Sequence, residues 1–236
     1  MFNPDAPLRV LEIAPGHPCV VIDNALREPQ RWVELAIANR DAFAQAAQTA
    51  FPGPELPFSP ELIAQFEALF NSRVRTLLGG RRTLSSNARM SLACRAPQDL
   101  KPWQWFCHVD ARDLLPGQGM AACVLYLFQD QRLGGTAFYA SARPMSEIAE
   151  LTRAATTLPA EEFSRRYGIA PGYMTESNAW FRKLLAVPAR WNRLIFYSGS
   201  ILHSGDIIHP ELLDTDPAQG RLTINGFFRF TRKQAS

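Results

Sequence analysis

Ala121-Ala122-Cys123-Val124-Leu125-Tyr126-Leu127-Phe128 is an apolar run of strand length, set off by Pro116-Gly117 before it and Gly134-Gly135 after it. Similar short runs recur on either side: Arg89–Cys94, Trp103–Asp110, Ala137–Ala140, Leu194–Tyr197 and Leu222–Phe230, with Pro97 and Gly199 as further punctuation. Glycine and proline supply the turn conformations that let strands fold back on their neighbours. The stretch from about 85 to 230 therefore predicts antiparallel β-structure in a sandwich or barrel. Helical spacing returns only between about Ser146 and Ala186, where Glu147, Leu151, Phe163, Tyr167, Trp180 and Leu184 fit a helical insertion, within 141–190, able to cover a cavity mouth.

Upstream, Cys19-Val20-Val21-Ile22 reads as a strand stopped by Asp23-Asn24. A helix is expected from about Glu28 to Gln48, with Pro29 in its first turn and Trp32, Leu35, Ala36 and Phe43 at helical spacing. Pro52, Pro54 and Pro57 break the chain. Ser59-Pro60-Glu61 then opens a second helix, with Leu62, Phe66, Leu69, Phe70 and Leu77 along one side until Gly79-Gly80. These helices are expected to brace a sheet, so 1–84 would support an 85–230 core within one domain spanning 1–236.

Bulk numbers permit this. With 236 residues and 47% apolar composition the chain can bury one large core. Lys plus Arg at 25 against Asp plus Glu at 22 gives a net charge of only +3, without a basic run, so nucleic acid is not an expected partner. Cys19, Cys94, Cys107 and Cys123 contain no C-x-x-C pair, and reduced, buried thiols are expected. Met1-Phe2-Asn3-Pro4-Asp5 lacks the start of a signal peptide, and no apolar stretch is long enough to span a bilayer, so the expectation is a soluble, cytoplasmic chain.

The residues with the most chemistry lie in Trp103-Gln104-Trp105-Phe106-Cys107-His108-Val109-Asp110. Read as a strand, it places Gln104, Phe106, His108 and Asp110 on one face, so the imidazole and the carboxylate can meet one ion. The plain alternative is a buried histidine bonded to a nearby carboxylate. A second imidazole would complete the two-histidine, one-carboxylate facial set that leaves coordination positions open on non-haem Fe(II). His203 closes the apolar strand Leu194–Tyr197 and is preferred; His209, beside Pro210 in a polar stretch, is its competitor, and His17 sits in a remote turn. On Arg221-Leu222-Thr223-Ile224-Asn225-Gly226-Phe227-Phe228, alternation places Arg221, Thr223 and Asn225 on one face, so a guanidinium and a hydroxyl can meet a carboxylate together. Arg193 and Arg229 are the alternative cations.

Taken together, four features resemble the Fe(II)/2-oxoglutarate-dependent dioxygenase superfamily, in particular its prolyl-hydroxylase-like branch. They are His108-Val109-Asp110; the tyrosine-bearing run Cys123–Phe128 leading through Gly134-Gly135 to Thr136-Ala137-Phe138; the apolar strand before His203; and Gly220-Arg221-Leu222-Thr223, similar to a G-R-x-S/T motif. The resemblance covers about 85–230. It implies a jelly roll, or double-stranded β-helix, with iron on His108, Asp110 and His203, and the distal carboxylate of 2-oxoglutarate on Arg221 and Thr223, with Tyr126 as a further hydrogen-bond partner. It implies oxidative decarboxylation of that cosubstrate by O2, coupled to hydroxylation of a small molecule, a peptide or an amino-acid side chain. Halogenating relatives replace the carboxylate ligand with a small residue, so Asp110 points to oxygen transfer. One departure stands out: eighteen positions separate His203 from Arg221, against twelve from His209, which requires an elongated loop over 210–219. The competing readings are a cupin-like metal-binding or sensor protein without turnover, and an interaction module that has kept only the sheet.

Overall fold

The computed structural model describes residues 1–45, 51–111 and 113–232. Among these, ten strands form two antiparallel sheets, joined and flanked by four α-helices. The strands are β1 (Leu8–Ala14), β2 (His17–Ile22), β3 (Glu55–Pro57), β4 (Gly80–Ala93), β5 (Gln118–Tyr126), β6 (Gly135–Ser141), β7 (Phe181–Val187), β8 (Leu194–Ser198), β9 (Leu202–Asp206) and β10 (Arg221–Arg232). The helices are α1 (Gln30–Ala38), α2 (Pro60–Leu69), α3 (Met145–Thr157) and α4 (Ala160–Tyr167). The larger sheet runs β1-β2-β8-β5-β10-β4-β3 and the smaller β7-β6-β9. No helix among the described residues is long and apolar enough to cross a membrane.

Alternation along β10 separates two environments. Leu222, Ile224, Phe228 and Phe230 pack on the face that α1 and α2 cover, where Phe66 joins the same core and Phe70 meets Phe196 and Phe228. Phe70 stacks on Phe228 with centroids 4.4 Å apart, and each such buried ring contributes about 2 kcal/mol. On the opposite face, Tyr126, Ile195 and Tyr197 of the large sheet pack against Phe138 and Val187 of the small one. The helices α3 and α4 seat Ile148, Leu151 and Phe163 on Trp105, Phe106 and Phe181, covering the other side of the small sheet.

Several expectations are corrected. The first helix ends at Ala38, because Asn39 turns out of the helix and its side-chain amide takes the Leu35 carbonyl at 2.8 Å. A short 3-10 turn, Arg40–Ala42, follows, and the expected end of that helix at 46–48 lies outside the described residues. Trp103–Asp110 is not a strand. Pro102 opens a 3-10 turn through Gln104, and only His108 pairs with another strand, so the alternating faces read from 103–110 do not exist. The region 146–186 is helical only to Tyr167; Phe181–Val187 is β7, whose period-two pairing with β6 overrides an accidental helical spacing of Trp180 and Leu184. His203 does not end the apolar strand β8 but lies on β9, in the other sheet. Among the cysteines, all free, Cys94 is only partly buried.

Candidate metal and anion site

His108 and His203 meet through their backbones. Each N–H donates to the other's carbonyl at 2.9 Å, an isolated antiparallel bridge that sets the two rings 4.6 Å apart. Asp110 is held next to them because its N–H, and that of Ala111, donate to the Gly199 carbonyl in the turn between β8 and β9, while Gly199 N–H reaches Met120 of β5. The carboxylate then lies 3.1 Å from His203 Nε2 and 3.6 Å from His108 Nε2. One donor atom from each of the three falls within 4.8 Å of the others. Ligands about 2 Å from one ion require separations of this order.

The hydrogen bonding demands a cation between them. His203 Nδ1 lies 2.9 Å from the Ile201 carbonyl, which can only accept, so Nδ1 carries the proton and a neutral ring presents the lone pair of Nε2 to the Asp110 carboxylate. Two acceptors facing each other at 3.1 Å need a proton or a metal ion. The charges show the same demand. Burial works to raise the Asp110 pKa, yet His203 and His108 drive it far below the usual carboxylate range. Burial works to lower that of His203, yet the Asp110 charge and the Ile201 carbonyl raise it.

The three donors line one end of a cavity of about 420 Å³, whose wall also contains Arg221. Arg221 is buried, with Nε donating to the Leu133 and Gly134 carbonyls at 3.0 and 3.2 Å and Nη2 to Gly135 at 2.8 Å. Its guanidinium also lies over the Phe128 ring, 5.7 Å from the centroid. Among the described residues Nη1 has no hydrogen-bond partner and the guanidinium has no carboxylate partner. Burial accordingly pulls its pKa down. A guanidinium so desolvated calls for an anion in the cavity.

The remaining candidates separate clearly. His209 is exposed and bonds to Glu211, and His17 is exposed at the start of β2. Arg193 is committed to Asp23 and the Pro188 carbonyl, and Arg229 reaches the Asp113 carbonyl. Thr223 is fully buried beneath the cavity wall, its hydroxyl donating to the Ser91 carbonyl at 3.3 Å. Tyr126 is buried too, its hydroxyl 2.8 Å from that of Thr136, and it is Thr136 that lines the cavity.

The profile of the Family of unknown function (DUF6445) matches residues 4–228. This chain belongs to that family. No curated protein matches the sequence. Among solved structures it is similar to a Pseudomonas putida prolyl-4-hydroxylase, at 16% identity and a TM-score of 0.46, covering 92% of this chain and 94% of that one. It is also similar to the non-heme alpha-ketoglutarate-dependent epimerase SnoN from nogalamycin biosynthesis (12%, 0.49, 92% and 82%). A third is HygX from Streptomyces hygroscopicus with nickel and 2-oxoglutarate bound (10%, 0.47, 92% and 84%).

In this family member the cavity lining also includes Thr136, Arg89, Tyr173 and Met174, to which the sequence alone assigns no role. Thr136 carries a local signal, directly after Gly134-Gly135 at the start of β6. Arg89 is brought to the site by the register of β4 against β10, and Tyr173 by a hydroxyl bond to the Arg95 carbonyl at 2.7 Å. Neither relation is written in local sequence.

Proposed function

We propose that this chain is an Fe(II)- and 2-oxoglutarate-dependent oxygenase that hydroxylates a small molecule or an amino-acid side chain. The observation that carries the reading is the pairing, in one cavity, of three converging candidate metal donors with a buried guanidinium that has no carboxylate partner among the described residues. A metal chelator with a free carboxylate at its far end satisfies both, and 2-oxoglutarate is such a molecule. The H-x-D and G-R-x-T motifs support the same assignment.

In this reading His108, Asp110 and His203 hold the ion on one side, leaving the cavity side for cosubstrate and O2. The bound iron and 2-oxoglutarate would supply the oxidising equivalent for C–H hydroxylation. The chain's own contribution is positional. The Ile201 carbonyl fixes the His203 tautomer, the carbonyls of Leu133, Gly134 and Gly135 aim Arg221, and Tyr126 orients the Thr136 hydroxyl toward the cosubstrate. Tyr126 thus acts through Thr136, and Thr223 by supporting the strand beneath. The two sheets are taken as the major and minor sheets of a double-stranded β-helix within one domain, 1–236; the core they share supports this.

Anaerobic titration of the Fe(II)-loaded protein with 2-oxoglutarate tests the proposal. A weak visible metal-to-ligand charge-transfer band is expected, absent from Asp110→Ala, which loses the metal, and retained in His209→Ala. Folded, iron-loaded protein that shows no such band refutes it.

A further inference from the structure

Along the cavity wall from the anion anchor, the Asn225 side chain has no partner among the described residues. Asn225 lies on the same face of β10 as Arg221, four residues and so about 13 Å along the strand. It is 9% exposed and lines the cavity, and among the described residues its side-chain amide makes no hydrogen bond. The amide opens onto the cavity, so a donor and an acceptor are available there to a ligand.

Directly opposite Asn225 in the β4–β10 register is Arg89. Its guanidinium is fixed on three sides. Nε donates to Glu55 at 2.7 Å, Nη1 to Asn87 at 3.4 Å, and its face lies over the Phe227 ring, 4.7 Å from the centroid. Among the described residues the Nη2 edge has no hydrogen-bond partner. Glu55 is buried, so Arg89 and Glu55 together present donors without net charge. A ligand carboxylate would gain little there and would stand close to the Glu55 carboxylate. An uncharged amide fits on every count: its N–H can donate to Asn225 Oδ1, and its carbonyl can accept from Asn225 Nδ2 and Arg89 Nη2. Val124 and Phe227 form the apolar wall on either side of the pair.

We infer that Asn225 and Arg89 form a recognition site for a neutral amide group carried by the substrate. Naming the occupant as substrate rests on the oxygenase reading; the amide site itself does not.

Saturation-transfer NMR on the full chain tests this with three probes: N-methylacetamide, its ester isostere methyl acetate, and propionate. Each is measured on metal-free protein and again with Zn(II), a diamagnetic stand-in for iron, and saturating 2-oxoglutarate. One hydrogen bond that the ester cannot donate predicts a preference for the amide of about threefold to tenfold in both states. Asn225→Leu should bring the amide down to the level of the ester, and Arg89→Met should weaken it, with thermal unfolding of each variant as the check on folding. The wild-type preference decides the matter if either variant fails to fold. Equal saturation of amide and ester, propionate exceeding the amide while 2-oxoglutarate is bound, or a preference surviving in folded Asn225→Leu overturns the inference. So does displacement of the amide by 2-oxoglutarate, which would assign Asn225 to the cosubstrate. A chain that binds no 2-oxoglutarate but keeps the amide preference sinks the oxygenase reading and leaves this site standing.

Discussion

Replacing Arg221 with Met separates the anion-binding role of the guanidinium from its structural one. A hydrogen bond to a charged group contributes about 1.5–3 kcal/mol, so losing a carboxylate contact at this position should cost about 3 kcal/mol of 2-oxoglutarate binding, or about 150-fold in Kd. In the absence of ligand two effects oppose each other. The carbonyls of Leu133, Gly134 and Gly135 lose their donor, at about 1–3 kcal/mol, while a buried cation with no carboxylate partner among the described residues is removed, a gain of similar size. The ligand-free variant should therefore unfold within a few degrees of wild type. Ligand linkage is where they part. At 2-oxoglutarate one hundredfold above the wild-type Kd, with a divalent metal present, the wild type gains about 2.7 kcal/mol, which at this chain length raises Tm by about 5–10 °C. The variant, with its Kd above that concentration, gains about 0.3 kcal/mol, or about 1 °C. Thermal unfolding with and without 2-oxoglutarate reads the difference, and isothermal titration gives Kd directly. The metal alone should shift both proteins alike, since Arg221 is not a ligand. A 2-oxoglutarate shift in Arg221→Met as large as in the wild type would refute the reasoning.

Gly134 is held at φ +86°, and a Cβ there would run into the Asp206 carbonyl, so Gly134→Ala should cost at least about 2 kcal/mol. Because the 133–135 carbonyls aim Arg221, 2-oxoglutarate affinity should fall with it; thermal unfolding and titration measure the two losses. A pH effect is expected away from the site. Burial works against the Asp23 carboxylate, but hydrogen bonds and charge from Arg193 and Arg9 bring its pKa down to about 2. A depressed carboxylate stabilises above its unfolded pKa of about 3.9, and that contribution is lost as pH falls through about 2. Asp23→Asn should therefore flatten the stability profile between about pH 4 and 2, measured by denaturant midpoint; an unchanged slope would contradict the assignment.

What the sequence disclosed, and what it concealed, follows from where each constraint is written. The faces of β10 were legible because each is packed differently: Leu222, Ile224 and Phe228 against the helices, Arg221 and Asn225 against the cavity, so alternation carries the whole message. The three candidate donors do come together, but not by the strand parity that the sequence suggests. Residues 102–104 form a 3-10 turn and only His108 pairs beyond it, so what holds His108 and Asp110 together is the reciprocal backbone bonding with His203 and the Gly199 carbonyl. Spacing by one residue survives as a signal because it needs only extended backbone at His108 and an acceptor for the Asp110 N–H; these come from His203 on β9 and Gly199 in the turn before it, about 90 positions away in the chain. The same tertiary origin explains why His203, and not His209, joins the cluster. His203 lies on β9, in the small sheet, while His209 falls in the exposed loop with Glu211. Arg89 facing Asn225 is the extreme case: a register between strands over a hundred residues apart, with no local signature in either. The chemistry of such a cavity is thus written in residue types, and its geometry in pairings between segments that the sequence does not place side by side.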